Sequence, residues 1–88
     1  GLGAVMRNAV TFEDGEVQQV NFPDYEPLRI SDIKAIEVVI VPSAAAPTGV
    51  GEPAVPPAGP ALANAIAALP GGRLVTVLPM AENGVTFA

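Results

Sequence analysis

Ten prolines in 88 residues fix where regular structure can form in this chain. Each locks its own φ near −65° and removes a backbone donor, so helices and interior strands must lie between prolines or begin at them. The stretches 1–22, 28–41, 61–69, 71–78 and 80–88 are left as room for elements, around a proline- and glycine-rich interval from Pro42 to Pro57. None holds eighteen consecutive apolar residues, so no stretch reads as a membrane-spanning helix.

In the first stretch, the runs Val5 to Phe12 and Val17 to Phe22 flank Glu13-Asp14-Gly15-Glu16. Asp-Gly between two such runs predicts a β-hairpin, because both central residues of a type I′ turn need positive φ. Val10 and Phe12 then share one strand face, as do Val20 and Phe22. Pro23 to Ile33 reads as a connector pinned by Tyr25, Leu28 and Ile30, with Asp24, Glu26 and Asp32 on a solvated face. Ile36-Glu37-Val38-Val39-Ile40-Val41 is β-branched almost throughout and stops at Pro42, which predicts a strand buried on both faces with Glu37 at its entrance.

Pro60 suits the first turn of a helix running Ala61 to Leu69, with Leu62, Ile66 and Leu69 at helical spacing and Pro70-Gly71-Gly72 as its stop. A helix apolar nearly all round is expected to be buried on all sides. Asn64 is its one amide, expected as a hydrogen-bond tie to neighbouring backbone. Arg73 to Leu78 predicts a short strand ended by Pro79, and Ala81 to Ala88 a tail. The expected class is α/β, a hairpin plus strands with one buried alanine-rich helix, residues 1–80 forming the folded segment and 81–88 the tail.

Half of the residues are hydrophobic but only 5% are aromatic, so the apolar inventory is mainly Ala and Val and any core is thin. Charged residues make up 15%, against about 25% in an ordinary soluble domain. Too little charge is present to coat a free-standing protein, and the expectation is that other polypeptide covers much of the surface, either the rest of a longer chain or partner subunits. The start, Gly1-Leu2-Gly3, reads as an internal cut or a processed end.

The net charge is −5, and the four basic residues, Arg7, Arg29, Lys34 and Arg73, are spread singly, which argues against a nucleic-acid partner. With no cysteine and no histidine, the chain has no thiolate nucleophile, imidazole base or usual zinc ligand. Any chemistry must be carried by carboxylates, with any metal held elsewhere.

One carboxylate stands out. In Pro47-Thr48-Gly49-Val50-Gly51-Glu52-Pro53, Glu52 follows two glycines and precedes the alanine-rich helix. The glycines could serve a tight turn, with Glu52 simply placed where a helix start favours an anion. Alternatively they let backbone approach a ligand closely and hold a single acid in a mostly apolar site. Gly-x-Gly alone does not separate the two.

Ile36 to Pro42, Gly49-Val50-Gly51-Glu52-Pro53, Pro56-Pro57, Pro60-Ala61-Leu62-Ala63-Asn64-Ala65-Ile66 and Arg73 to Pro79, in this order and spacing, resemble the carboxy-terminal end of the molybdopterin-binding large subunit of the molybdenum hydroxylase, or xanthine oxidase-like, family. Asn21-Phe22-Pro23-Asp24-Tyr25 with Leu28-Arg29 resembles most its branch of isoquinoline 1-oxidoreductases and membrane-bound aldehyde dehydrogenases. Departures fall at Ala54-Val55, where Gly-Thr is frequent, and at Leu69 to Gly72, where Ala-Thr-Gly-Lys is commoner.

The resemblance implies that Glu52 lies beside molybdenum as the general base of a hydroxylation that takes its oxygen from water, on an aldehyde or N-heterocycle. Gly49, Val50 and Gly51 would line the cofactor, a molybdopterin cytosine dinucleotide, by backbone contact. This segment would supply no metal ligand. The implied partners are the remainder of the large subunit, a small subunit with [2Fe-2S] clusters, and a c-type cytochrome subunit carrying haem c. The implied location is periplasmic, membrane-associated through those partners. Burial would raise the proton affinity of Glu52, and a helix start would oppose that.

Two other classes fit the residues. A non-catalytic interaction module would dock on a larger partner through its apolar helix and strands. A carboxylate hydrolase would need a second acid near Glu52, for which Glu37 and Glu82 are the nearest on either side of it in the sequence.

Overall fold

The computed structural model describes residues 1–87. Two helices organise it: α1 (Leu2–Met6) and α2 (Val55–Ala68), which pack on each other. Gly59 allows the approach, since a Cβ there would lie 3.3 Å from Val5 Cγ1. A 3₁₀ turn at Met80–Asn83 closes against α1. The apolar core these pieces share is Met6, Ile66 and Met80.

Alanine supplies the helix propensity of α2. Pro56 and Pro57 sit in its first turn, where peptide hydrogens have no intrahelical acceptor anyway. Pro60 lies inside the helix, where a proline removes an intrahelical bond and costs about 3 kcal/mol. Leu69 turns extended, its N–H donating to the Ile66 carbonyl at 3.3 Å, and Gly72 N–H donates to the Leu69 carbonyl at 2.7 Å. A Cβ on Gly72 would collide with the Ile66 carbonyl oxygen.

The helix therefore begins at Val55 and not at Pro60 or Ala61, because the prolines at 56 and 57 fill a first turn rather than a loop. Nor does this chain bury it: Ala61, Asn64, Ala65 and Ala68 are exposed, and only Ile66 is buried. Asn64 is thus a surface amide here.

The predicted turn forms, with φ of 49° at Asp14 and 82° at Gly15. Its strands are short, β1 (Phe12–Glu13) and β2 (Glu16–Val17), antiparallel with Phe12 opposite Val17 and Glu13 opposite Glu16. Beyond them Gln18 N–H donates to the Thr11 carbonyl at 2.9 Å, and the Gln19 side chain takes over, its Oε1 accepting from Thr11 N–H at 2.8 Å. Residues upstream that read as strand are instead helix α1 and a non-regular passage to Thr11.

The connector is built by its acids. Asp24 Oδ2 accepts from the N–H groups of Val20 and Asn21, both at 3.0 Å, capping a 3₁₀ turn at Phe22–Asp24. Asp32 does the same for a turn at Ile30–Asp32, accepting from Arg29 N–H at 2.8 Å, and also pairs with Arg7 at 3.0 Å. These carboxylates hold the chain's course rather than merely facing solvent.

Residues 36–41 and 73–78, expected as strands, carry no regular structure. A strand needs a neighbour for its backbone groups, and among the described residues neither segment has one. Ile36, Val38, Val39, Ile40 and Val41 are all at least 76% exposed. The radius of gyration is 16.3 Å, against about 12 Å for a compact domain of this length. The accessible surface is 7322 Å², where a free-standing protein of this mass exposes about 4,800 Å².

Candidate functional site

Glu52 sits in a bend that leads directly into α2. Its carbonyl accepts from Val55 N–H at 3.0 Å, which ties the residue's backbone to the helix start. Its side chain is exposed and accepts no hydrogen bond among the described residues.

A helix start offers an anion the peptide hydrogens of its cap and first three residues. Here Pro56 and Pro57 have none, and that of Val55 is turned to the Glu52 carbonyl, which leaves Ala54. The start of α2 is therefore poor in free donors for an anion.

Gly49 and Gly51 carry the second part of the site. A Cβ at either position would meet nothing within 4 Å, and neither has the positive φ found at Gly15, Gly71 and Gly84. The chain itself therefore gives no steric or conformational reason for glycine there. The backbone groups of Gly49, Val50 and Gly51 are unbonded among the described residues, and the Val50 side chain is exposed. The result is a strip of bare peptide beside a single acid, open to a planar polar group or to another chain. Those four residues are brought together by contiguity alone.

No second acid is bonded to Glu52, and among the described residues no group of three or more acidic side chains could hold a metal ion. An apolar groove of about 450 Å³ lies elsewhere, between Val5, the α2 face at Val55, Gly59 and Ala63, and the passage Val75 to Leu78. It contains no titratable group.

The other organised polar centre is Asn83. Its Oδ1 accepts from the N–H groups of Thr76 at 2.9 Å and Val77 at 3.3 Å, while its Nδ2 donates to the carbonyls of Val77 at 2.9 Å and Met80 at 3.0 Å. Arg73 donates to the Asn83 carbonyl at 2.9 Å. Residues 81–83, expected as part of the tail, thus join Met80 in locking the passage after the helix, which includes a cis Leu78–Pro79 bond. The bonds of the Asn83 side chain left no trace in the pattern. The cap of Asp24 did leave one: an Asn three residues before an Asp is a capping-box spacing.

No protein-family profile matches the chain, and no solved structure matches it. Two curated relatives do. One is the membrane-bound aldehyde dehydrogenase [pyrroloquinoline-quinone] of Gluconacetobacter polyoxogenes, 36% identical over 74 residues, or 84% of this chain. The other is the isoquinoline 1-oxidoreductase subunit beta of Brevundimonas diminuta, 38% identical over 80 residues, or 91% of this chain. The chain spans about a tenth of the length of either relative. With 74 of the 88 residues matched, the shorter match still includes Gly49 to Glu52.

Proposed function

This chain is a sequence relative of the molybdenum hydroxylase family, in its branch of membrane-bound aldehyde dehydrogenases and isoquinoline 1-oxidoreductases, and from that premise we propose that it is a segment of the molybdopterin-binding large subunit of an oxidoreductase. The reaction proposed is hydroxylation of an aldehyde or N-heterocycle with oxygen from water. The observation that carries the reading is the pair of matches over 84% and 91% of the chain, which take in Gly49 to Glu52. The open architecture supports it: roughly 2,500 Å² more surface is exposed than a protein of this mass leaves to water, as suits a piece cut from an α/β domain.

The residues fit a bound pterin in one respect that this chain displays. Gly49, Val50 and Gly51 present unbonded peptide groups with no side chain over the two glycines, which suits contact with a polar, planar cofactor. The molybdenum pterin, when bound, would supply the centre that accepts two electrons from the substrate carbon. Glu52 would act at its carboxylate as the general base, taking the proton of the attacking oxygen.

Electrons would leave to [2Fe-2S] clusters of a small subunit and onward to a c-type cytochrome. The assembly would sit on the periplasmic side of a membrane, held by its partners. Among the described residues, no helix is long and apolar enough to cross a membrane.

Glu52→Gln in the complete enzyme tests the assignment. Turnover should fall by about 10²–10⁴ with molybdenum content retained. Near-normal turnover would refute the base role. The quinone in the first relative's name favours a second reading of the cofactor, in which the complete enzyme yields pyrroloquinoline quinone and no molybdenum. Metal and quinone analysis of the same preparation distinguishes them.

A further inference from the structure

The run Ile36 to Val41 is the most exposed apolar stretch of the chain that has no structural partner. Its five aliphatic side chains are 76–85% exposed, and its backbone makes no hydrogen bond among the described residues. In strand geometry Ile36, Val38 and Ile40 point to one face and Val39 and Val41 to the other, with Glu37 at the entry. From Val38 onward both faces are therefore apolar, the pattern of a strand covered on two sides, while Glu37 shares the Val39 and Val41 face at the entry.

The edges carry the same message. A strand that borders solvent is guarded by lysine, proline, a bulge or an inward charge. From Val38 to Val41 there is none of these, and Pro42 stands only at the exit. Resting on the proposed large-subunit reading, we infer that residues 36–41 form an interior strand of a mostly parallel sheet, whose two neighbouring strands belong to the polypeptide of that subunit outside this chain.

A second copy of the chain does not meet the need. Pairing of 36–41 with its own symmetry mate would satisfy one edge and leave the other open. Covering both edges and both faces takes two more strands and two packed layers, and the relatives, about ten times as long as this chain, have the length to supply them. The roughly 2,500 Å² of surplus surface is of the size buried in permanent interfaces.

Residue-resolved amide exchange on the complete enzyme decides this. In an interior strand successive peptide hydrogens point to opposite neighbours, so all amides from Glu37 to Val41 should be slowed by about 10³-fold or more. Alternate protection, with every second amide fast, would mean an edge strand and overturn the inference, as would fast exchange throughout. Proline variants give the same split: Val38→Pro and Val39→Pro should both abolish assembly, whereas an edge strand tolerates one of them. The large-subunit reading fails differently, through purification of the chain with no further polypeptide attached, and it can stand while the strand inference falls.

Discussion

Asn83 holds both polar groups of the Val77 backbone, its Oδ1 accepting from the N–H at 3.3 Å and its Nδ2 donating to the carbonyl at 2.9 Å. One side-chain amide thereby substitutes for the strand partner that Val77 lacks. Asn83→Ala should leave those groups, with Thr76 N–H and the Met80 carbonyl, to find water or open. A loss of about 1–3 kcal/mol of local stability follows, seen as amide exchange across 73–84 faster by about 5- to 150-fold. Asn83→Asp keeps the acceptor and loses both donations, so it should fall between. Unchanged exchange in the alanine variant would remove Asn83 from this role.

The exposed alanine face of α2 is expected to be covered in the complete enzyme. Ala65→Arg would then force a long charged side chain into a packed contact, costing about 1–3 kcal/mol for overpacking alone and more for the charge. The measurement is the yield and melting temperature of assembled enzyme. If α2 faces water there, the same change stays within about 0.5 kcal/mol.

Gly51→Ala separates an internal need for glycine from an external one. Nothing in this chain meets the added methyl group, so local structure should be untouched. On the proposed reading, retained cofactor should nonetheless drop in the complete enzyme, because the methyl group would occupy the space that this reading gives to the pterin. Full cofactor content with normal turnover would mean that the glycine serves only chain flexibility.

The connector should loosen in acid. Hydrogen bonding from Arg29 N–H, and then from the Arg7 side chain, holds the Asp32 carboxyl below its ordinary value of 3.8. A carboxylate depressed in the folded state contributes stability above its unfolded pKa and loses it as pH falls through the folded one. The Arg7–Asp32 tie is therefore intact at neutral pH; its contribution starts to fall near the ordinary value of 3.8 and is lost as the pH drops through the lower folded-state value. Asp32→Asn should flatten that acid-side dependence, read by exchange or proteolysis of residues 20–33 against pH.

What the sequence made visible were features fixed by a residue's own backbone. Asp14-Gly15 adopts the positive φ values that its turn demands, and the helix ends at Ala68, one residue short of the predicted Leu69, ahead of Pro70-Gly71-Gly72. The helix start was misjudged because three prolines compete for it: Pro60 reads as a first-turn residue, yet Pro56 and Pro57 fill that turn and Pro60 is carried inside. Helix α1 was missed because Leu2 to Met6 is too short for a periodicity and runs into the apolar stretch before the hairpin. The segments 36–41 and 73–78 have strand composition without strand structure, since composition is local and a ladder is not. For the site, Glu52 and its glycines could be picked out by spacing, whereas nothing among the described residues gathers around them.

The two prolines that open α2 bear on how the acid ahead of them is set. A helix whose leading peptide hydrogens are mostly missing offers a neighbouring carboxylate few donors, so groups that would fix the Glu52 side chain in place have to come from across the bend. On the proposed large-subunit reading those groups belong to polypeptide far from this segment in sequence, and substitutions there should displace the acid more than changes within α2.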